Sequence, residues 1–203
     1  MATYTTVAIC NKALVLCGAS PITALTDDTA NARALNAVFD ISRKSILTEC
    51  RWTFSITRST LSTVSTTKIA WFHNEEGYVY TRPSEALRVW EMSDNQAIWR
   101  EEGDYIISDT ASLGAKYTFD HNDPGLWRQK FVEAFIDKLC SDICFTILNS
   151  ATKAEAFLSK YEKITLPKAM AEDSQTGTHQ EPIDDYWLSA KFSNGGNPSR
   201  SYS

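Results

Sequence analysis

An α+β fold, a helical bundle of about four helices carrying an inserted small antiparallel β region and ending in an extended C-terminal arm, is what three patterns in the sequence predict. Apolar residues recur at helical spacing towards both ends of residues 1–172. The middle third instead alternates apolar and polar residues at period two, between turn-forming pairs. Beyond Glu172 the composition shifts to Asp, Ser, Thr, Gln, Gly and Asn, which cannot supply a core of its own. A chain of 203 residues with 43% hydrophobic residues suits one domain with an insertion and a tail. The predicted parts are an N-terminal helical pair (1–51), a β-rich insertion (52–120), a C-terminal helical pair completing the bundle (121–172) and the arm (173–203).

The first helix rests on Val7, Cys10, Leu14 and Cys17, which share one face. Gly18 ends it and Pro21 forbids its continuation. Asp27 and Asp28 offer N-caps for a second helix reaching about Cys50, with Leu35, Val38, Phe39, Ser42, Ile46 and Cys50 as its stripe. Arg33, Asp40, Arg43, Lys44 and Glu49 fall on its other faces. Trp52-Thr53-Phe54-Ser55-Ile56-Thr57 alternates as a strand does, whereas the Ser- and Thr-rich run from Leu61 to Thr67 reads as a strand end and loop. Short strands are expected at Tyr78–Tyr80, Leu87–Met92, Ala97–Arg100, Tyr105–Ser108 and Ala115–Phe119. A third helix should start at Asp123-Pro124 and bury Phe131, Phe135, Leu139 and Ile143. A fourth, from about Thr152 to Met170, carries Phe157, Tyr161 and Ile164 on an otherwise charged rod.

The composition narrows the chemistry. A net charge of −5 argues against a sequence-reading nucleic-acid binder, whose affinity comes largely from neutralising phosphates. Basic residues are dispersed along the chain, with no stripe interleaved with aromatics. No basic segment followed by an apolar run opens the chain, and no stretch is apolar for long enough to span a membrane, so synthesis in the cytosol is expected. Cys10, Cys17, Cys50, Cys140 and Cys144 are odd in number and lie in helical, apolar sequence, as reduced packed thiols do. Cys140 and Cys144 lie one helical turn apart, but a metal would need two further ligands. His73, His121 and His179 fall in loop or tail sequence and are expected to be solvated. Ser20 lacks the strand–turn–helix setting of a nucleophile elbow, and Gly195-Gly196 lacks the basic residue of a phosphate loop. Carboxylate pairs at Glu75-Glu76, Glu101-Glu102 and Asp184-Asp185 leave open the two-carboxylate chemistry of glycoside hydrolysis. One aromatic island, Asp184-Asp185-Tyr186-Trp187-Leu188-Ser189-Ala190-Lys191-Phe192, interrupts the polar tail. Its alternatives are packing on its own domain, or anchoring a neighbour or partner through Tyr186, Trp187, Leu188 and Phe192.

The order of these blocks resembles the tail tubular protein A and tail accessory, or head-to-tail adaptor, family of short-tailed bacteriophages. The resemblance is carried by Asn11-Lys12-Ala13-Leu14, Leu16, Gly18, Pro21-Ile22, Leu25, Asp28, Asn31-Ala32, Arg43, Leu47, Arg51-Trp52-Thr53-Phe54, Arg58 and Leu61. It continues through Tyr78-Val79-Tyr80, Pro83 and Leu87-Arg88-Val89, then Tyr117, Asp123-Pro124, Trp127, Phe131, Tyr161 and Ala169 to Asp173. The run from Ser62 to Lys68 and the end after Phe192 match nothing in the family pattern, and Cys17 stands where a larger aliphatic residue is expected.

This resemblance implies a structural, non-enzymatic protein without a cofactor. It implies a homo-oligomeric ring, usually of twelve copies, beneath the portal protein in the virion neck. That ring extends the channel through which genomic double-stranded DNA passes and carries the next tail component, a nozzle or tubular B-type protein. Two other classes stand beside it: a tail-associated peptidoglycan hydrolase working through Glu75 or Glu101, and another neck protein such as a stopper or terminator.

Overall fold

The computed structural model describes residues 4–70 and 76–175. Helix α1 spans Thr6–Cys17 and is capped by the Thr5 hydroxyl on the Ala8 N–H. It stops at Gly18, whose φ of 84° is left-handed, with Gly18 and Ala19 N–H groups bonded to the Val15 and Leu14 carbonyls. That pattern closes the last turn and favours a residue without a Cβ. The connection to the second helix is then pinned by side chains. Asn11 donates to the Ile22 carbonyl at 2.9 Å and accepts from the Ile22 N–H at 2.8 Å, and Asn31 donates to the Ser20 carbonyl at 2.9 Å.

Helix α2 runs Ala30–Glu49, and its N-cap is Thr29, a residue beyond the expected aspartates. Asp27 instead accepts hydrogen bonds from the N–H groups of Thr23 and Ala24 and the Thr23 hydroxyl, bonds that hold its carboxyl below the usual range. Arg43, placed by helical phase on a polar face, is only 4% exposed and binds Asp120 from the far end of the β region, with Asp40 alongside. The partner lies 77 residues away, so local periodicity carries no trace of it.

The expected strand at Trp52 begins later. Thr53–Ser55 form a 3-10 turn, sending Trp52 and Phe54 back among the helices, and strand β1 starts at Ile56 (Ile56–Thr60). Trp52 stacks edge-on against Phe131 at 4.9 Å and donates its indole N–H to the Ile46 carbonyl at 2.7 Å. The remaining strands are β2 (Ser62–Ala70), β3 (Glu76–Thr81), β4 (Ala86–Met92), β5 (Trp99–Glu102), β6 (Tyr105–Ser108) and β7 (Gly114–Phe119).

The helical bundle with a small β insertion is therefore corrected. Among the described residues, seven strands form two antiparallel sheets, ordered β1-β7-β4 and β2-β3-β6-β5, beside four helical rods. The difference arises at Ser62–Ala70: its hydroxyl side chains suggest a loop, but its Thr, Val and Ile favour extended backbone, and β3 supplies an antiparallel partner. The β region also owns a core. Leu61, Tyr80, Ala86, Val89, Met92, Ile106, Leu113, Ala115 and Tyr117 gather residues from both sheets. Two irregularities in the pairing of β4 with β7 explain why Ala86, Val89 and Met92, three apart, all point inward from one strand.

After β7, Asp123 caps a 3-10 turn at Pro124–Leu126, and helix α3 starts only at Gln129 (Gln129–Leu148). It is the central rod, packing on α1, α2 and the last helices through Phe131, Val132, Phe135, Leu139, Cys140 and Ile143. Helix α4 (Ala151–Lys160) passes through a π turn at Tyr161–Thr165 into α5 (Leu166–Ser174). The helix thus continues beyond residue 172. Its end is tied down: the Asp173 carboxylate accepts from the N–H and hydroxyl of Thr53, both at 2.8 Å, and lies 3.6 Å from Arg128. Tyr161, also buried, donates to Glu49 of α2 at 2.7 Å.

Candidate partner interface

Two surfaces carry chemistry that the core does not need. The first is built on β1, β7 and β4, where the antiparallel register sets Arg58 opposite Lys116 and Lys116 opposite Glu91. Arg51, just past the end of α2, reaches Glu91, and Lys116 approaches the same carboxylate at 3.1 Å. The hydrogen bond from Lys116, followed by that from Arg51, holds the Glu91 carboxyl below its ordinary range. Arg88 and Arg51 both lie over the Trp90 ring, their guanidinium carbons 4.1 and 5.0 Å from its centroid. Its indole donates to Thr118 at 2.8 Å, while Arg88 donates to the Thr48 carbonyl of α2 at 3.0 Å. These bonds fix the cationic layer where helices and sheet meet.

Beside this layer a cleft of about 460 Å³ opens between Arg58, Thr60, Glu91, Ser93, Gly114 and Lys116. Its floor is made of small residues; a Cβ added at Gly114 would meet the Ser59 carbonyl oxygen at 3.3 Å. Two cations, Arg51 and Lys116, thus bind one carboxylate, Arg58 lines the same cleft and Arg88 lies over the neighbouring Trp90, in a chain of net charge −5. Along the sequence they look dispersed, contrary to what folding makes of them. The only local trace is the alternation Arg88-Val89-Trp90 on β4; the rest of the cluster exists through cross-strand register.

The second surface is a groove of about 440 Å³ between α1, α3 and α4–α5, lined by Lys12, Leu16, Ile136, Lys160, Ile164 and Lys168. Lys160 extends over the buried Asp137 at 2.9 Å, and Leu16 and Ile164 stay exposed at its rim. The π turn brings Ile164 and Thr165 to this edge.

The other predicted sites come out as follows. Tyr186, Trp187, Leu188 and Phe192 lie outside the described residues, as do Glu75, His73, His179, Asp184 and Asp185. Glu101 sits on β5 at 3.9 Å from Arg82, and Glu102 at 2.7 Å from Arg100, in ion pairs on an outer strand of the sheet. His121 is a correction: it is 7% exposed, between the rings of Phe54 and Phe119, and burial lowers its pKa below the ordinary value. All five cysteines are free thiols, four of them buried. Cys17 joins Cys140 and Cys144 through thiol hydrogen bonds at the α1–α3 contact; hydrogen bonding from Cys140 lowers Cys17 to about 7, and burial raises Cys144 to about 11. Among the described residues no group of three or more His, Cys, Asp or Glu is arranged to hold a metal ion, and no helix is long and apolar enough to cross a membrane.

Comparison with protein-family models finds none that matches the chain, and comparison with curated proteins finds none either.

Proposed function

We propose that this protein is a structural head-to-tail adaptor of a tailed bacteriophage. It forms a ring below the portal, of twelve copies, extends the DNA channel and carries the nozzle or tubular B-type component. The observation that carries the reading is the ordered residue set described above, whose members have joint structural work to do. Asn11, Gly18, Ile22 and Asn31 meet in the α1–α2 connection, and Trp52, Thr53, Phe131 and Asp173 meet where helices hand over to the sheet.

Ring closure fits the surfaces. A cyclic assembly uses heterologous contacts, so each subunit needs two unlike faces. The cationic cleft of β1-β7-β4 and the lysine-rimmed groove of the helices are two such faces. A charge of −5 per copy gives a twelve-membered ring about sixty negative charges, which discourages DNA from adhering in passage. The chain acts by binding alone, in the virion neck: weakly associating copies are gathered by a multivalent portal, whose effective concentration drives closure. Tyr186, Trp187, Leu188 and Phe192 are the proposed anchors of the arm on this partner surface.

The test is deletion of residues 184–203. The shortened chain should keep the melting transition of the full chain, since the helical and sheet cores lie within residues 4–175, yet fail to accumulate on purified portal. Normal incorporation of the truncated chain would remove the arm from the proposal. Peptidoglycan turnover that disappears on Glu101→Gln would replace the adaptor reading with a hydrolase.

A further inference from the structure

We propose that the cationic cleft on β1-β7-β4 is the docking site for the acidic–aromatic segment of the same chain, residues 184–188, before the chain meets any partner. The inference does not depend on the adaptor reading, because it concerns the isolated chain.

Three observations converge. The first is charge: Arg58 and Lys116 line the cleft with Glu91, Arg51 reaches the same carboxylate as Lys116, and Arg58 has no ion-pair partner among the described residues. The segment offers Asp184 and Asp185 beside Tyr186 and Trp187. Guanidinium groups pair with carboxylates through paired N–H donors, and they also stack on aromatic faces, as Arg88 already does on Trp90 at 4.1 Å. Acid next to aromatic is the composition such a surface selects.

The second is shape. The cleft holds about 460 Å³, a volume in the roughly 300–1,000 Å³ class that encloses bulky ligand groups. Ser93, Thr60 and Gly114 keep its floor clear of large side chains, so the ring of Trp187 can lie between the cationic walls.

The third is reach. Asp173 is bonded twice to Thr53, so α5 releases the chain at the start of β1. Arg58, on β1, is five residues after Thr53, at most about 18 Å away. The nine Cα-to-Cα steps from Gln175 to Asp184 can span about 30 Å, which is ample. A tether this short presents the segment at an effective concentration of order millimolar, far above that of another copy in dilute solution. The same chain is therefore the source. In the docked state Tyr186, Trp187 and Leu188 are withheld from other surfaces.

The experiment titrates a synthetic peptide of residues 181–192 into two full-length chains by calorimetry: the native one, and Asp184→Lys/Asp185→Lys, whose own arm is repelled by the cleft. The peptide should bind the charge-reversed chain at least about tenfold more tightly than the native chain, whose cleft is occupied. Arg58→Glu in the charge-reversed background, or Trp187→Ala in the peptide, should abolish that binding. The peptide substitution leaves the protein untouched, so loss of fold cannot imitate the result. Equal affinity for both chains, no binding to either, or indifference to both substitutions would overturn the proposal. Sedimentation at the same concentrations should show monomers; arm-dependent dimers of the native chain would overturn the same-chain source.

Discussion

Single side chains decide more here than their positions in the sequence suggest. His121 is surrounded by Phe54 and Phe119, and its backbone carbonyl accepts the indole N–H of Trp127 at 3.2 Å. Burial is the main reason its pKa is lowered, with Asp123 and Asp120 opposing and Arg43 adding to the effect. The unfolded chain therefore takes up a proton first, near the ordinary histidine value of about 6.5, while the folded chain does so only at lower pH. The contribution of His121 to stability should be flat above neutrality and fall as the pH drops through about 6.5 towards the lowered folded value. Urea denaturation at several pH values should show that decline, and His121→Gln should flatten it; an unchanged slope would mean that another group is responsible. Arg43 teaches the same lesson from the opposite sign. Helical phase sets it on a polar face, yet it is buried on Asp120, a contact made by the tertiary fold alone. The stripe around it, Leu35, Phe39, Ser42 and Ile46, was legible because each of those residues needs only its own helix to face inward.

Elements show where local reading stops. Gly18 and Pro21 end α1 as their chemistry requires, and α3 buries the face that its Phe, Leu and Ile spacing marks out. Trp52-Thr53-Phe54 has the alternation of a strand, but both rings are drawn into the helical core, where Phe54 and Phe131 meet edge-on at 4.9 Å, and the backbone turns instead. Period two states that alternate side chains differ in environment; it does not state which core receives them. The sheets exceed the local signal for a related reason. Ser and Thr on β2 resemble loop composition, and the pairing with β3 that makes them a strand is a long-range fact. At the element joints one contact is exposed to a sharp test. Asp173 joins α5 to the turn before β1 and is only 5% exposed. Asp173→Ala removes two hydrogen bonds and leaves the Thr53 N–H without its acceptor, which should cost about 2 kcal/mol in denaturant unfolding. A loss below about 0.5 kcal/mol would show that Arg128 and Thr53 find replacements, as exposed contacts do.

At the level of the whole molecule, two cores share one chain. The helical core runs through Leu14, Leu35, Phe131 and Phe135, and the sheet core through Tyr80, Ile106 and Tyr117. They are joined by polar and cationic contacts, Arg43 to Asp120, Arg88 to the Thr48 carbonyl and Arg51 to Glu91. The cleft was invisible in the sequence because its charged residues, Arg58, Glu91 and Lys116, come from three different strands. The aromatic island from Tyr186 to Phe192 stands alone in polar sequence and lies outside the described residues. Together they are the features on which the proposed ring assembly rests. The decisive measurement is electron microscopy of the purified chain mixed with its portal ring. Capped portal particles, with an added ring showing the portal's rotational symmetry, are the expected result. Portal rings that stay bare at every salt concentration would contradict the adaptor function.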